Sequence, residues 1–156
     1  MEKKLKIASD LENLRMVEKA IDEITALKGI SHASYGKVLV AVLEAVNNAI
    51  SHGNKFSPDK FVNISLKCKG SKFTVKVKDE GHGFSHENIP DPTLPENIEK
   101  ISGRGVFLMT KLADEIKFNK KGNSVTFVFN NIDSWNCKFF MKTHRIDFAV
   151  GKNSNN

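Results

Sequence analysis

Apolar residues recur along residues 37–53, KVLVAVLEAVNNAISHG, at the spacing of a helix. With about 100° between successive residues, Val38, Leu39, Val42, Leu43, Val46, Ala49 and Ile50 fall within one arc of about 140°, wide enough for the buried side of a core helix. The opposite side carries Glu44, Asn48 and His52 at i, i+4 and i+8, flanked by Ser51 and padded by Ala41 and Ala45. An ordinary surface face carries Lys and Glu; a carboxylate, an amide and an imidazole among small residues leave room for close approach. The same pattern also suits a polar face that meets only water. What favours the first reading lies further along the chain.

Before this helix, residues 4–8 (KLKIA) alternate as a short strand. Ser9 or Asp10 then caps a helix with Leu11, Leu14, Val17, Ile21, Ile24 and Leu27 at helical spacing, closed by Gly29. The central helix ends at His52-Gly53-Asn54, and Ser57-Pro58-Asp59 opens a loop. FVNISLK and KFTVKVKDE alternate across a Lys69-Gly70-Ser71 turn and predict a hairpin with one wet face. Its parity puts Asp79 on the apolar face with Phe73, Val75 and Val77. A carboxylate delivered to the edge of a core needs a partner or a ligand, and Gly81 and Gly83 directly after it let the backbone come close to one. Residues 84–102 hold three of the four prolines and no regular period, which reads as a lid. Gly103-Arg104-Gly105 then opens a helix through Val106, Phe107, Met109 and Leu112, so free backbone N–H groups fall where phosphate could bind. Glu115–Asn119 and Ser124–Asn130 form a last hairpin, and the aromatic segment 131–156 reads as an added extension with a frayed end. The order strand, helix, helix, two strands, lid, helix, two strands predicts an α/β two-layer sandwich, with helices over one face of a mixed, mainly antiparallel sheet.

A length of 156 residues fits one domain. The apolar content of 40% and charged content of 27% are those of a soluble globular chain. No run is long enough to span a membrane, and MEKKLKIAS lacks the apolar stretch of a signal peptide, so a cytoplasmic protein is expected. Cys68 and Cys137 are too few for a disulfide framework or a zinc site, and His82 and His86 have no further metal ligands at suitable spacing. The formal charge of +6 comes from dispersed lysines, and only Arg15, Arg104 and Arg145 are arginines. Direct nucleic-acid binding is therefore disfavoured, because arginine is the usual reader of base edges; an anionic small molecule or an acidic protein suits the charge equally well.

Three motifs now stand in order: E-A-V-N-N at 44–48, D-E-G-H-G at 79–83 and G-R-G-V-F at 103–107. Together they resemble the N-box and the two glycine boxes of the Bergerat-fold ATPases, the histidine-kinase-like superfamily. Within it the chain is most similar to the bacterial anti-sigma factor serine kinases, a closer likeness carried by EAVNNAISHGN, PDPTLPENIEKISGRGVFLM and ADEIKF. The likeness covers about residues 5–130 and leaves the extension outside it. It implies ATP and Mg²⁺ as ligands. Asn48 would hold Mg²⁺ through its side-chain oxygen, and Glu44 would orient or deprotonate the attacking hydroxyl. Asp79 would accept from the adenine amino group, with Gly81 and Gly83 shaping the base pocket. Gly103, Gly105 and the Val106 N–H would meet the phosphates, and Ser124 stands where the family usually has a threonine near the adenine. Arg104 would touch the γ-phosphate or form only lid surface; His52 would contact phosphate or water, or simply end its helix.

The activity so implied is that of a protein-serine kinase acting as an anti-sigma regulatory factor. It would phosphorylate a STAS-domain anti-anti-sigma partner and sequester a sigma factor in competition with it. The alternative is an ATP-binding interaction switch with little or no phosphotransfer, and Glu44 beside Asn48 favours the kinase. A histidine-kinase half would need dimerisation helices before the first strand, and a gyrase-like or mismatch-repair ATPase would need a transducer domain. The likeness also raises a homodimer, although no self-complementary surface is legible in the sequence.

Overall fold

The computed structural model describes residues 1–83 and 101–132, residues 101–104 by their backbone alone. The chain opens with strand β1 (Glu2–Ala8), followed by a 3₁₀ turn over Leu11–Asn13 and helix α1 (Leu14–Lys28). The cap expected at Asp10 exists, but it serves the turn: its carboxylate accepts from the Glu12 N–H at 2.9 Å. Leu11, expected in the apolar stripe, is consequently 43% exposed, and Leu27 at the other end is 71% exposed. Gly29 closes α1 with φ +62°, and the Gly29 and Ile30 N–H groups return to Ala26 and Thr25. A side chain there would be strained, which is why glycine ends this helix.

Helix α2 (His32–Asn48) begins five residues before the expected start, because Ser31 caps it by accepting from the Ser34 N–H. It also ends differently: Ala49–Gly53 form one π-helical turn, with the Asn54 N–H bonded to the Ala49 carbonyl. Lys55 and Phe56 then both adopt positive φ, 53° and 55°, and carry the chain out of that turn.

Strands β2 (Phe61–Lys69) and β3 (Lys72–Lys78) form the expected hairpin. Helix α3 (Ile101–Leu112) leads to β4 (Glu115–Phe118) and β5 (Ser124–Phe129). The sheet order is β1-β2-β3-β5-β4, and every pairing among the described residues is antiparallel. Ile64, Leu66, Phe73, Val75, Val77 and Phe127 point to one face of the sheet and are buried under α1 and α2. Val17, Ile21 and Ile24 of α1 meet them, as do Val38, Val42, Val46 and Ile50 along α2 and its π turn. Each such side chain contributes about 1.5–3 kcal/mol on burial, so this two-layer contact supplies most of the favourable folding energy. Ala41 and Ala45, placed on the polar side by the helical reading, are both buried. Residue 132 still belongs to the core, and its N–H reaches the Ser71 carbonyl. Of the lid expected over 84–102, residues 101 and 102 belong to α3 instead, and residues 84–100 lie outside the described residues, as do residues 133–156 of the extension expected over 131–156. Among those described, no helix is long and apolar enough to cross a membrane.

Candidate functional site

The end of α2, its π turn, the end of β3, the middle of α3 and the β4–β5 hairpin surround a pocket of about 300 Å³. Val77, Val106, Met109, Phe118 and Val125 give it apolar walls, while Asn48, His52, Asp79, Asn123 and Ser124 place polar groups at its edge. Small-molecule sites commonly have this makeup, an apolar slot with a few fixed polar atoms.

Asp79 is the most constrained of these groups. The parity argument holds: it is buried on the core side, directly beyond Val77. Its Oδ1 accepts the Gly81 N–H at 2.8 Å, which leaves Oδ2 as the open acceptor. Burial pushes its carboxyl above the ordinary range, opposed by the Gly81 N–H, its own backbone N–H and the more distant charges of Lys121 and Lys60. The aspartate backbone is gripped as well. Its N–H donates to the Asn123 carbonyl at 3.0 Å, and the Asn123 side-chain amide donates to the Asp79 carbonyl at 3.0 Å. Asn123 is oriented in turn by Asn119, whose amide donates to Asn123 Oδ1 at 2.8 Å.

Gly53 explains how the carboxylate fits: a Cβ there would stand 2.5–2.8 Å from all three of its terminal atoms. Any side chain at position 53 would displace Asp79. Gly83, at φ +80°, lies against the Lys121 carbonyl of the β4–β5 turn, so the first glycine box is clamped to that hairpin.

Asn54 joins these parts. It is 1% exposed, and its amide donates to Ser9 Oγ at 2.8 Å and to the Phe61 carbonyl at 3.0 Å. Its Oδ1 accepts the Glu80 N–H at 2.8 Å, next to Asp79. One side chain thus ties the ends of β1 and β3 to the start of β2. Asn54→Ala would leave three polar groups in or near the interior without this partner, at an expected cost of about 2 kcal/mol and about 5 °C in unfolding midpoint. Calorimetric unfolding checks this, and an unchanged midpoint would mean that water replaces the amide.

Glu44 and Asn48 lie one turn apart on α2 and are both half-buried. Asn48 lines the pocket; Glu44 does not, because its carboxylate packs against Gly105 of α3. A Cβ on Gly105 would collide with Glu44 Oε1, so this glycine makes room for the acid. His52 lines the pocket mouth and is otherwise exposed.

The second glycine box is placed differently from the sequence expectation. Helix α3 starts at Ile101, ahead of Gly103, whereas the sequence predicted a start after the glycines. In α-helix geometry the first helical bond is donated by the fourth helical residue, so within this helix only the N–H groups of residues 101–103 are free. Gly103 thus keeps a donor, while Gly105 and Val106 fall inside the hydrogen-bonded ladder. The side chain of Arg104 lies outside the described residues. Ser124 touches the pocket but pairs with Lys78, a position of the opposite sheet face. The polar side chain bonded to Asp79 comes from its neighbour Asn123, which the sequence reading missed. Gly53 and Asn54 are likewise absent from the residues the sequence singles out for the site; the run H-G-N, which there ends the central helix and forms part of the family likeness, is the available signal. Among the described residues, no group of three or more His, Cys, Asp or Glu could hold a metal ion.

Residues 7–129 match the model of the histidine kinase-like ATPase domain. The serine-protein kinase RsbW of Oceanobacillus iheyensis is 27% identical over 123 residues, a span of 75% of this chain and 78% of that kinase. RsbW of Staphylococcus aureus is 24% identical over 124 residues, with the same coverage. A crystal structure of the RsbU and RsbW domains of a Mycobacterium tuberculosis protein superposes with a TM-score of 0.58 at 17% identity. It covers 83% of this chain, which spans 32% of that longer one, and shows a shared fold. With the family model matched over most of its length, the chain belongs to the histidine kinase-like ATPase domain family.

Proposed function

We propose that the chain binds Mg-ATP in this pocket and transfers the γ-phosphoryl group to a serine of a protein partner. The observation that carries the reading is Asp79: one carboxylate oxygen fixed by Gly81, the other open, in a slot with apolar walls. An open acceptor suits the amino group of adenine, whereas the carbonyl of guanine would face it with a second acceptor. Val77, Val106 and Met109 would flank the ring, and the free N–H groups that open α3 would face the phosphates.

Asn48 supplies an oxygen donor beside the pocket, suited to a hard cation; Mg²⁺ bound there would neutralise phosphate charge. Glu44, one turn earlier, would accept the proton of the attacking serine hydroxyl. The serine oxygen then bonds to the γ-phosphorus as the bond to the bridging oxygen breaks, giving phosphoserine and ADP. The RsbW relatives are named serine-protein kinases, which supports a serine as the phosphate acceptor; a STAS-domain anti-anti-sigma protein would carry that serine, and a sigma factor would be the competing ligand. Residues 1–130 form the catalytic unit in this reading, residues 131–156 an extension to it, and the protein works in the cytoplasm. The second reading, an ATP-dependent binding switch, draws on Glu44 lying against Gly105 and outside the pocket lining.

Calorimetric titration with ATP and with GTP, each with and without Mg²⁺, tests the pocket; phosphate transfer to a STAS protein encoded nearby tests the reaction. Binding of ATP over GTP is expected, with removal of Mg²⁺ by EDTA weakening it about tenfold or more. Binding without any transfer would favour the switch, and no binding would refute both readings.

A further inference from the structure

The sheet face turned away from the helices carries a field of positive charge. Register places Lys4, Ser65, Lys76, Thr126 and Lys117 side by side across all five strands. One step along, Lys6, Asn63, Lys78 and Ser124 form a second row, and Lys67, Lys69 and Lys72 extend the field toward the β2–β3 turn. All eight lysines are exposed. Among the described residues, Glu80 stands at the margin of this face, its Oε2 accepting the Phe61 N–H at 2.8 Å, and the strands themselves oppose the lysines with only two glutamates, Glu2 and Glu115. Both glutamates are already paired with a lysine of their own strand, Lys4 at 3.5 Å and Lys117 at 3.1 Å. Lys3, of the opposite parity, pairs with Glu23 of α1 and belongs to the helix side. Among the described residues, the other six lysines of the face have no carboxylate within ion-pair distance.

Lysines on alternate strands of a row lie about 10 Å apart, and those two residues apart along a strand about 7 Å. Between them stand hydroxyls and an amide, and the row of Lys67 and Thr74 continues to the buried Val128. The free protein therefore holds an ordered array of like charges whose repulsion an anionic occupant would relieve.

We infer that this face docks an acidic segment of a partner protein. Carboxylates at i and i+4 of a helix repeat about every 6 Å, close to the lysine spacing along a strand. Like charge opposes the pairing of this face with the same face of a second copy. Nucleic acid fits less well: among the described residues the face has no arginine, its one aromatic ring, Phe61, lies beneath the Lys6 ammonium at 4.3 Å, and Glu2 and Glu115 close it at both edges. A lipid surface fits less well too, since none of the large exposed apolar side chains of the described residues lies on this face. The pocket is lined mainly by α2, its π turn, α3 and the helix-facing side chains Val77, Phe118 and Val125, so an occupant of the outer face does not fill it. The inference does not rest on phosphotransfer.

The test is fluorescence anisotropy of a labelled glutamate-rich peptide with the full chain, at low and at physiological salt. Duplex DNA and phosphatidylserine vesicles serve as competing anions. The triple variant K67E/K76E/K78E removes the centre of the field; K19E/K28E/K37E changes net charge equally on the exposed helix faces. The peptide should bind wild type and the helix-face variant alike, more tightly than DNA or vesicles do, and about tenfold or more weakly to the sheet-face variant. Cooperative thermal unfolding of all three proteins reports that they are folded. Absence of peptide binding, equal loss in both variants, or tighter binding of DNA or vesicles would overturn the inference.

Discussion

Asp79→Asn should lower ATP affinity by about 100- to 1,000-fold without unfolding the protein. One carboxylate oxygen is committed to the Gly81 N–H, and the other is the acceptor offered to adenine. Asparagine has one oxygen and one amide. If its oxygen keeps Gly81, its NH₂ faces the adenine amino group; if the amide flips, NH₂ meets the Gly81 N–H. Either way a donor faces a donor in a buried site. The effect on stability has the opposite sign. Burial raises the Asp79 carboxyl in the folded state, so its contribution to stability is fully present below the unfolded pKa and is lost as pH rises through the folded one. At neutral pH the charged group therefore costs stability, and the asparagine variant should unfold at an equal or higher temperature than wild type. That advantage should vanish in acid. Calorimetry with ATP and unfolding scans at two pH values check both halves, and ATP affinity within tenfold of wild type would remove Asp79 from the base pocket.

Glu44→Gln is expected to lower the phosphotransfer rate by about 10²- to 10⁴-fold, the usual contribution of a positioned base, with ATP affinity unchanged within about twofold. Glutamine keeps the shape that fills the space against Gly105 and loses the ability to take the serine proton. Because Glu44 stays out of the pocket lining, nucleotide binding should hardly respond. Single-turnover transfer of labelled phosphate to the partner separates the two effects. An undiminished rate would assign Glu44 to packing and leave the reaction without its base.

The features legible in the sequence rest on local periodicity. The parity of Phe73, Val75, Val77 and Asp79 is a property of one strand, and pairing with β2 and β5 preserves it. Gly29 as a helix stop and the two hairpins are equally local. What the sequence hid depends on contacts between distant segments. Asn123 looks like an ordinary turn residue until the fold brings it to Asp79, 44 positions earlier, and Asn54 looks like a loop asparagine until Ser9 and Glu80 converge on it. Two glycines argue against helix, so the start of α3 was expected after them; the close seat of Gly105 on Glu44 shows packing overriding propensity. The π turn escaped because N-A-I-S-H-G continues the helical pattern without a break.

That turn changes the arithmetic of the chain. Holding five residues where an α-helix would use about four, it acts as a one-residue insertion placed between Asn48 and Gly53. The residues before it keep their angular phase with the core of α2, and those after it are rotated by about one residue's worth of turn. Gly53 and Asn54 thereby come to face β3, while Val38, Val42 and Val46 stay seated on the sheet. The pocket depends on an offset in count as much as on the identity of its side chains. A stretch of the same composition one residue shorter would keep the helix and its core contacts, yet aim the glycine away from Asp79.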